Sequence, residues 1–441
     1  MTPINLDFFI NTGPSRPEPR AAMITIPLDL PDVRVLDTQI NEQGEIMITV
    51  ESTLEGCLCK HCQKKIEAFH QDDEWITIRH LPILGWPSYI RMRPKRYNCA
   101  RCAYRKGKKK VTTTQQLSWH RAKSPYSRPY EEHVLLELVN STIEDVSIKE
   151  GLGYDGVEGI VERNISTKVD WNQFESLDTL GIDEIALKKG HQDYVVPITA
   201  RLDDGQVKIV AVLPNRKKKT VKKFLHSIPQ RLRETIHTVC LDMWKHYIAA
   251  VTEVFEDEVD ITVDRYHVAN KYREAADKLR KKELRRLKKE LSEAEYKTLK
   301  GHMWTYRKKK ADLSPDEAEL LERLFAYSPD LKQAYNLRED LTAIFEQPLS
   351  KEEATKKIKA WSKQVKESSL TCFDTFLTTL DNHFDYIANY FIKRLNSGFV
   401  EGLNNKIKVI KRRCYGILNV AHLFQRIFLD LEGYRIFARV A

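Results

Sequence analysis

A chain of 441 residues with 42% hydrophobic content is long enough for two or three domains, each with its own core. Charged residues reach 30% and the formal net charge is +10, which points to a polyanionic partner: DNA, RNA or an anionic membrane surface. No apolar run approaches the roughly 20 residues a spanning helix needs, and the first residues carry acids and prolines rather than a signal-peptide pattern, so a soluble, cytoplasmic protein without a membrane partner is predicted.

Residues 1–30 are Pro-rich and predict a flexible N-terminal segment. Residues 31–125 are β-rich, with alternation in Ile46-Met47-Ile48-Thr49-Val50 and in Tyr89-Ile90-Arg91-Met92. Eight cysteines are too few for a disulfide scaffold, yet five fall between Cys57 and Cys102. Cys59-x-x-Cys62 and Cys99-x-x-Cys102 form two turns, each presenting two sulfurs, which suits a tetrahedral structural Zn²⁺. Lys60, Lys64, Lys65, Arg101 and Arg105 surround the turns and favour thiolates. The stretch between the pairs has room for a β-hairpin. Cys57 is a spare, and His61 or His70 could replace a ligand. A small zinc ribbon is the expectation. Four sulfurs leave no open position on the metal, so its role is structural.

Residues 126–172 read as short helices, with capping-box spacing at Ser141-x-x-Glu144 and Asp155-x-x-Glu158 and a stop at Gly151 and Gly153. Helix, glycine turn, helix is the pattern of a helix-turn-helix. A recognition helix over Tyr154–Lys168 would offer Arg163 and Lys168 to DNA, but Asp155, Glu158 and Glu162 oppose that contact. The bland alternative is a small helical packing unit.

From Leu177 the texture changes. Leu180–Leu187, Tyr194–Leu202 and Val207–Leu213 read as strands, with a turn at Asp203-Asp204-Gly205. A basic helix around Thr220–Ile228, strand Thr238–Leu241, helix Tyr247–Phe255 and strand Ile261–Val263 follow. Together they predict a mixed α/β sheet over 173–268. Residues 269–395 are almost all helical, with Leu284, Leu287 and Leu291 on one face, either inside this segment or between subunits. Trp304 beside Arg307 reads as core packing, with base stacking as the alternative. The runs Arg216–Lys219, which includes Lys217 and Lys218, Lys278–Lys289 and Arg307–Lys310 are either DNA contacts or solvated faces. A last helix begins near Ser397 in segment 396–441. It carries Glu401, then Asn404, Asn405, Lys408, Lys411 and Arg412.

Asp183 lies among apolar strand residues, where a carboxylate is costly unless compensated. Asp242 closes a strand, where an α/β sheet gathers functional groups, and Asp264 closes the next strand, with His267 one turn beyond.

The segments Gly181-Ile182-Asp183-Glu184, Leu241-Asp242-Met243-Trp244, Asp264-Arg265-Tyr266-His267-Val268 and Glu401-Gly402-Leu403-Asn404-Asn405-Lys406 occur in an order that resembles the ISL3 family of DDE insertion-sequence transposases. The block Ile407–Gly416 and the cysteine pairs extend the likeness over nearly the whole chain. The resemblance implies a multi-domain α/β protein with a ribonuclease-H-like core (173–268 and 396–441) interrupted by a helical insertion (269–395). It implies catalysis by Asp183, Asp242 and Glu401 holding two Mg²⁺ or Mn²⁺ ions, with Asp264 and His267 as supporting or rival residues. It also implies a bacterial, nucleoid-associated enzyme that binds terminal inverted repeats and target DNA as a homodimer or larger assembly. Lys408, Lys411 and Arg412 join Arg163, Lys168, Lys217 and Lys218 as candidate DNA contacts. A catalytically silent DNA-binding regulator, or a nuclease that does not join strands, are the alternatives.

Overall fold

Alternating apolar residues between Val33 and Met92 build a four-stranded sheet from β1 (Val33–Ile40), β2 (Ile46–Ser52), β3 (Ile76–Ile83) and β4 (Trp86–Met92). The strands lie in the order β1-β2-β4-β3, with only β2 and β4 parallel. Their inward residues Ile46, Ile48, Val50, Ile78, Ile90 and Met92 form the core, as the period of two requires. The structure, a computed structural model, describes residues 3–7, 23–106, 110–187, 194–300, 304–394 and 398–438. It divides into two units, Met1–Ile165 with Leu429–Ala441, and Ser166–Phe428.

In the first unit, Pro3–Asp7 pairs antiparallel with Met23–Pro27, so the N-terminal segment expected to be flexible contains a strand pair; residues 8–22 lie outside the described ones. The hairpin β3–β4 falls between the two cysteine turns, as expected. A separate three-stranded sheet joins Phe69–Asp72, Lys95–Asn98 and Thr112–Thr114 beside them.

Three helices follow: α1 (Arg128–Leu138), α2 (Ile143–Glu150) and α3 (Tyr154–Asn164). Two expected caps shift. Thr142, not Ser141, accepts from the Asp145 amide, and Gly153, not Asp155, is the residue before α3. Gly151 ends α2 with φ 60°, a left-handed conformation that glycine adopts without a Cβ penalty. Helix α3 ends at Asn164 because Ile165 is extended, so Lys168 lies outside it. The Asn140 amide donates to Asp430 (3.0 Å), and a Cβ at Gly433 would stand 2.5 Å from the Val139 side chain, so residues 429–438 pack closely within this unit.

The second unit is built on β5 (Thr179–Ile182), β6 (Tyr194–Arg201), β7 (Val207–Leu213), β8 (Thr238–Leu241) and β9 (Asp260–Val263). The order is β7-β6-β5-β8-β9, antiparallel among the first three and parallel across β5, β8 and β9. Helices α4 (Lys218–Ser227) and α5 (Lys245–Phe255) bury Val221, Leu225, Tyr247 and Val251 in the same core as Leu180, Ile198 and Val239. From α6 (Arg265–Glu290) to Lys393 the described chain is helical around a second core that includes Tyr272, Leu284, Leu287, Trp361 and Phe373. The leucine face therefore packs inside this segment. Trp304 is 67% exposed, which overturns its assignment to the core. Helix α7 (Gly398–Arg413) buries Leu403, Ile407 and Ile410, one stripe at helical spacing. Its expected start near Ser397 lies outside the described residues. No described helix is long and apolar enough to cross a membrane.

Candidate active site and metal centre

The strand read as continuous over Leu180–Leu187 breaks at Asp183 and Glu184, then resumes as Ile185–Ala186 against the start of β6. Because Ile182 is level with Leu241, and Leu241 with Val263, the next residues along the three parallel strands are Asp183, Asp242 and Asp264. They end neighbouring strands on one edge of the sheet and line one small recess with His267. The His267 imidazole stands 3.8 Å from Asp183, 3.6 Å from Asp242 and 3.8 Å from Asp264. Each carboxylate accepts a backbone N–H close behind it: Glu184 to Asp183 (2.7 Å), Met243 to Asp242 (2.6 Å), Tyr266 to Asp264 (2.7 Å). That last bond caps α6 and gives Asp264 a structural duty.

Burial pushes the Asp183 carboxyl up to about 6, with Asp264 and Asp242 adding to the rise while the Glu184 amide and His267 oppose it. A divalent cation between these groups would reverse the balance, since it stabilises the ionised carboxylates that ligate it. Glu401 lies in the first turn of α7; its side chain is outside the described residues.

Behind the site, Arg216 pairs with Glu184, one nitrogen lying 3.1 Å from each carboxylate oxygen. Its guanidinium carbon is 4.2 Å from the Tyr194 ring centre and 4.6 Å from that of Trp244. Sequence reasoning missed this, because a basic run reads as a solvated face and the aromatics Tyr194 and Trp244 come from distant segments.

The other expected cations divide. Lys217, Lys168, Lys408 and Arg412 are exposed. Lys218 pairs with Glu253. Lys411 turns inward and donates to the carbonyls of Ala186 and Leu187, the latter at 2.9 Å. Arg163 is bound to buried Glu131 (2.9 Å), which Asn164 and Ser124 also satisfy. In the third basic run, Arg307 pairs with Asp277, Lys308 with Glu317 and Lys309 with Glu346.

In the first unit the sulfurs of Cys59, Cys62, Cys99 and Cys102 all lie within 4.8 Å of one another. Cys59–Cys102 and Cys62–Cys99 are each 3.8 Å apart. Sulfurs about 2.3 Å from a central zinc define a tetrahedron with edges of about 3.8 Å, so the four could hold that ion. Burial opposes ionisation of Cys59, but the amides of His61 and Cys62 and the neighbouring thiols bring it down to about 6. Burial and the thiols of Cys62, Cys99 and Cys59 push Cys102 up to about 12. Accumulating thiolates so close together is costly without a cation. Cys57 stands aside, its sulfur 3.8 Å from the Thr113 carbonyl. Among the described residues, the cysteines alone bring three or more ligand atoms within 4.8 Å; the carboxylates around His267 are spread more widely.

A family model described as a transposase, that of the ISL3 group of DDE transposases, matches residues 180–427. The chain belongs to this family. It is 24% identical over 391 residues to the transposase for insertion sequence element IS1001 of Bordetella parapertussis, covering 88% of this chain and 92% of that one. It is also 23% identical to the transposase for IS1557 of Mycobacterium tuberculosis over 60% of this chain and 62% of that one. Among solved structures, a chain of the Drosophila P element transposase strand transfer complex superposes with a TM-score of 0.42 at 12% identity, covering 72% of this chain and 93% of that one. A likeness that loose carries no argument.

Proposed function

We propose that this protein binds the ends of a bacterial insertion sequence, cuts them and joins them to target DNA, with Asp183, Asp242 and Glu401 as the metal-binding catalytic residues. The observation that carries the reading is the row of carboxylates on three neighbouring strand ends in a chain of the transposase family. The strand order, three antiparallel strands followed by two parallel ones, supports a ribonuclease-H-like core. The helical segment from α6 to Lys393 is then its insertion, and α7 returns Glu401 to the core.

Oxygen-only ligands fit Mg²⁺ or Mn²⁺. Two such ions would activate the attacking oxygen and stabilise the leaving one in an in-line displacement at phosphorus. Asp183, Asp242 and Glu401 would hold these ions and keep their carboxylates ionised. Water would attack first, displacing the 3′-oxygen of the transposon end as a free 3′-OH and leaving a 5′-phosphate on the flank; that 3′-OH would then attack a target phosphodiester and displace a target 3′-OH. Asp264 holds α6 and, with His267, supports the neighbouring acids. Zn²⁺ on the four cysteines holds the N-terminal turns together and takes no part in chemistry. The exposed cations Lys217, Lys408 and Arg412 are the better candidates for phosphate contact, whereas Arg163 and Lys411 serve structure.

The test is incubation with Mg²⁺, labelled terminal-repeat DNA and a target plasmid. Cleaved ends covalently joined to plasmid are expected. Cleavage without joining makes the protein a nuclease, and binding without cleavage makes it a regulator.

A further inference from the structure

We infer that Arg216 is a positioning residue for the acidic site, setting the spacing of the strand ends that carry Asp183 and Asp242. The inference rests on the reading of those acids as metal ligands. Arg216 sits in the turn between β7 and α4, which Asn215 fixes by accepting from the Lys217 amide (3.1 Å) and the Thr220 hydroxyl (2.7 Å). From there its guanidinium lies against both Tyr194, the first residue of β6, and Trp244, two residues past Asp242. Its ion pair reaches Glu184, the residue after Asp183. Tyr247 on α5 donates to the same Glu184 carboxylate at 3.4 Å.

One side chain thus ties together the segments following both candidate ligands. A planar guanidinium can stack on rings while donating in its own plane, which an ammonium cannot do. At the break in the strand the Asp183 amide reaches the Pro197 carbonyl of β6 at a long 3.5 Å, so the Arg216–Glu184 ion pair adds restraint at this point.

The direct test is Mn²⁺ binding to the full chain without DNA, read from the electron paramagnetic resonance of free Mn²⁺. R216M should weaken binding about tenfold, the lower end for residues that orient metal ligands. It should raise the Mg²⁺ needed for half-maximal cleavage by a like factor and leave terminal-repeat affinity and its salt slope unchanged. R216K should recover part of the loss. E184Q keeps the shape and carries the same expectation should R216M fail to fold; the double variant should be no worse than either single one. Normal Mn²⁺ binding in R216M, with weaker DNA binding and a shallower salt slope, overturns the inference and makes Arg216 a phosphate contact. D183N separates the two readings. If D183N loses Mn²⁺ while R216M and E184Q do not, the acidic site stands and the role of Arg216 falls. If D183N binds Mn²⁺ normally, both fall.

Discussion

Four cysteines from two short turns lie at the sulfur spacing of a tetrahedral metal centre, whereas the carboxylates on the core sheet come from three strand ends and surround an imidazole. The first arrangement is closed and local: its four sulfurs come from residues 59–102, and Val111 and Thr113 support it by accepting from the Cys99 and Lys60 amides. The second is open at one edge, and a helix more than a hundred residues further on carries its proposed last member. A site that only holds structure together can be complete in itself. A site that handles a substrate must leave room, and its charges stay in tension until the cation and substrate arrive.

The largest effect is expected at the sulfurs. C99S, or exhaustive chelation of zinc, should unfold the segment 57–114, with a loss of several kcal/mol, because the metal supplies folding energy where the local core is small. Loss of its circular dichroism and protection from proteolysis is the readout; an unaltered melting profile would mean the cysteines hold no metal.

At the acids the sign should be opposite. With EDTA present, D183N should stabilise the second unit by about 2 kcal/mol at neutral pH, since a carboxyl raised from 3.8 to about 6 destabilises the fold when ionised. The penalty is absent below the unfolded value, grows as pH rises towards about 6, and is full above it. Thermal melts of wild type and D183N at pH 4 and 7.5 measure it, and a D183N protein less stable at pH 7.5 would contradict the account.

Smaller effects sharpen the division between structural and DNA-facing cations. R163M should cost about 1–3 kcal/mol, because it leaves buried Glu131 without its charge partner. The salt slope of DNA binding should not change; a shallower slope with unaltered stability would return Arg163 to the DNA.

The smallest effect is a pH dependence. His133 donates to Glu150, which raises the imidazole above its ordinary value; burial opposes ionisation of Glu150, but bonds from His133 and Tyr130 hold it below the usual carboxylate range. A raised histidine stabilises below its unfolded value and loses that contribution as pH rises through the folded one. A lowered glutamate stabilises above its unfolded value and loses that contribution as pH falls through the folded one. The pair therefore works best in the window between, and H133Q should flatten the stability profile above pH 6.5 by less than about 1 kcal/mol. An unchanged profile in denaturant titrations would count against the pair.

Legibility in the sequence followed range. The cysteine turns were readable because each ligand pair is local, and the strand-end acids because apolar runs end on them. Thr142 in place of Ser141 is a one-residue shift between two residues that cap almost equally well. Arg216 and Lys411 were unreadable as inward groups, since their partners Glu184, Trp244, Ala186 and Leu187 come from other segments. Trp304 misled because an indole held under the Arg307 guanidinium, 4.8 Å from the ring centre, can stay on the surface.

The most direct test of the central claim is a side-by-side cleavage assay in Mg²⁺ of D183N, D242N, E401Q and D264N on labelled terminal-repeat duplex. The first three should lose about a thousandfold or more in rate, while all four bind the DNA with wild-type affinity. D264N should retain measurable cleavage. Full activity in D242N with complete loss in D264N would contradict that claim and move the second metal ligand one strand along the sheet.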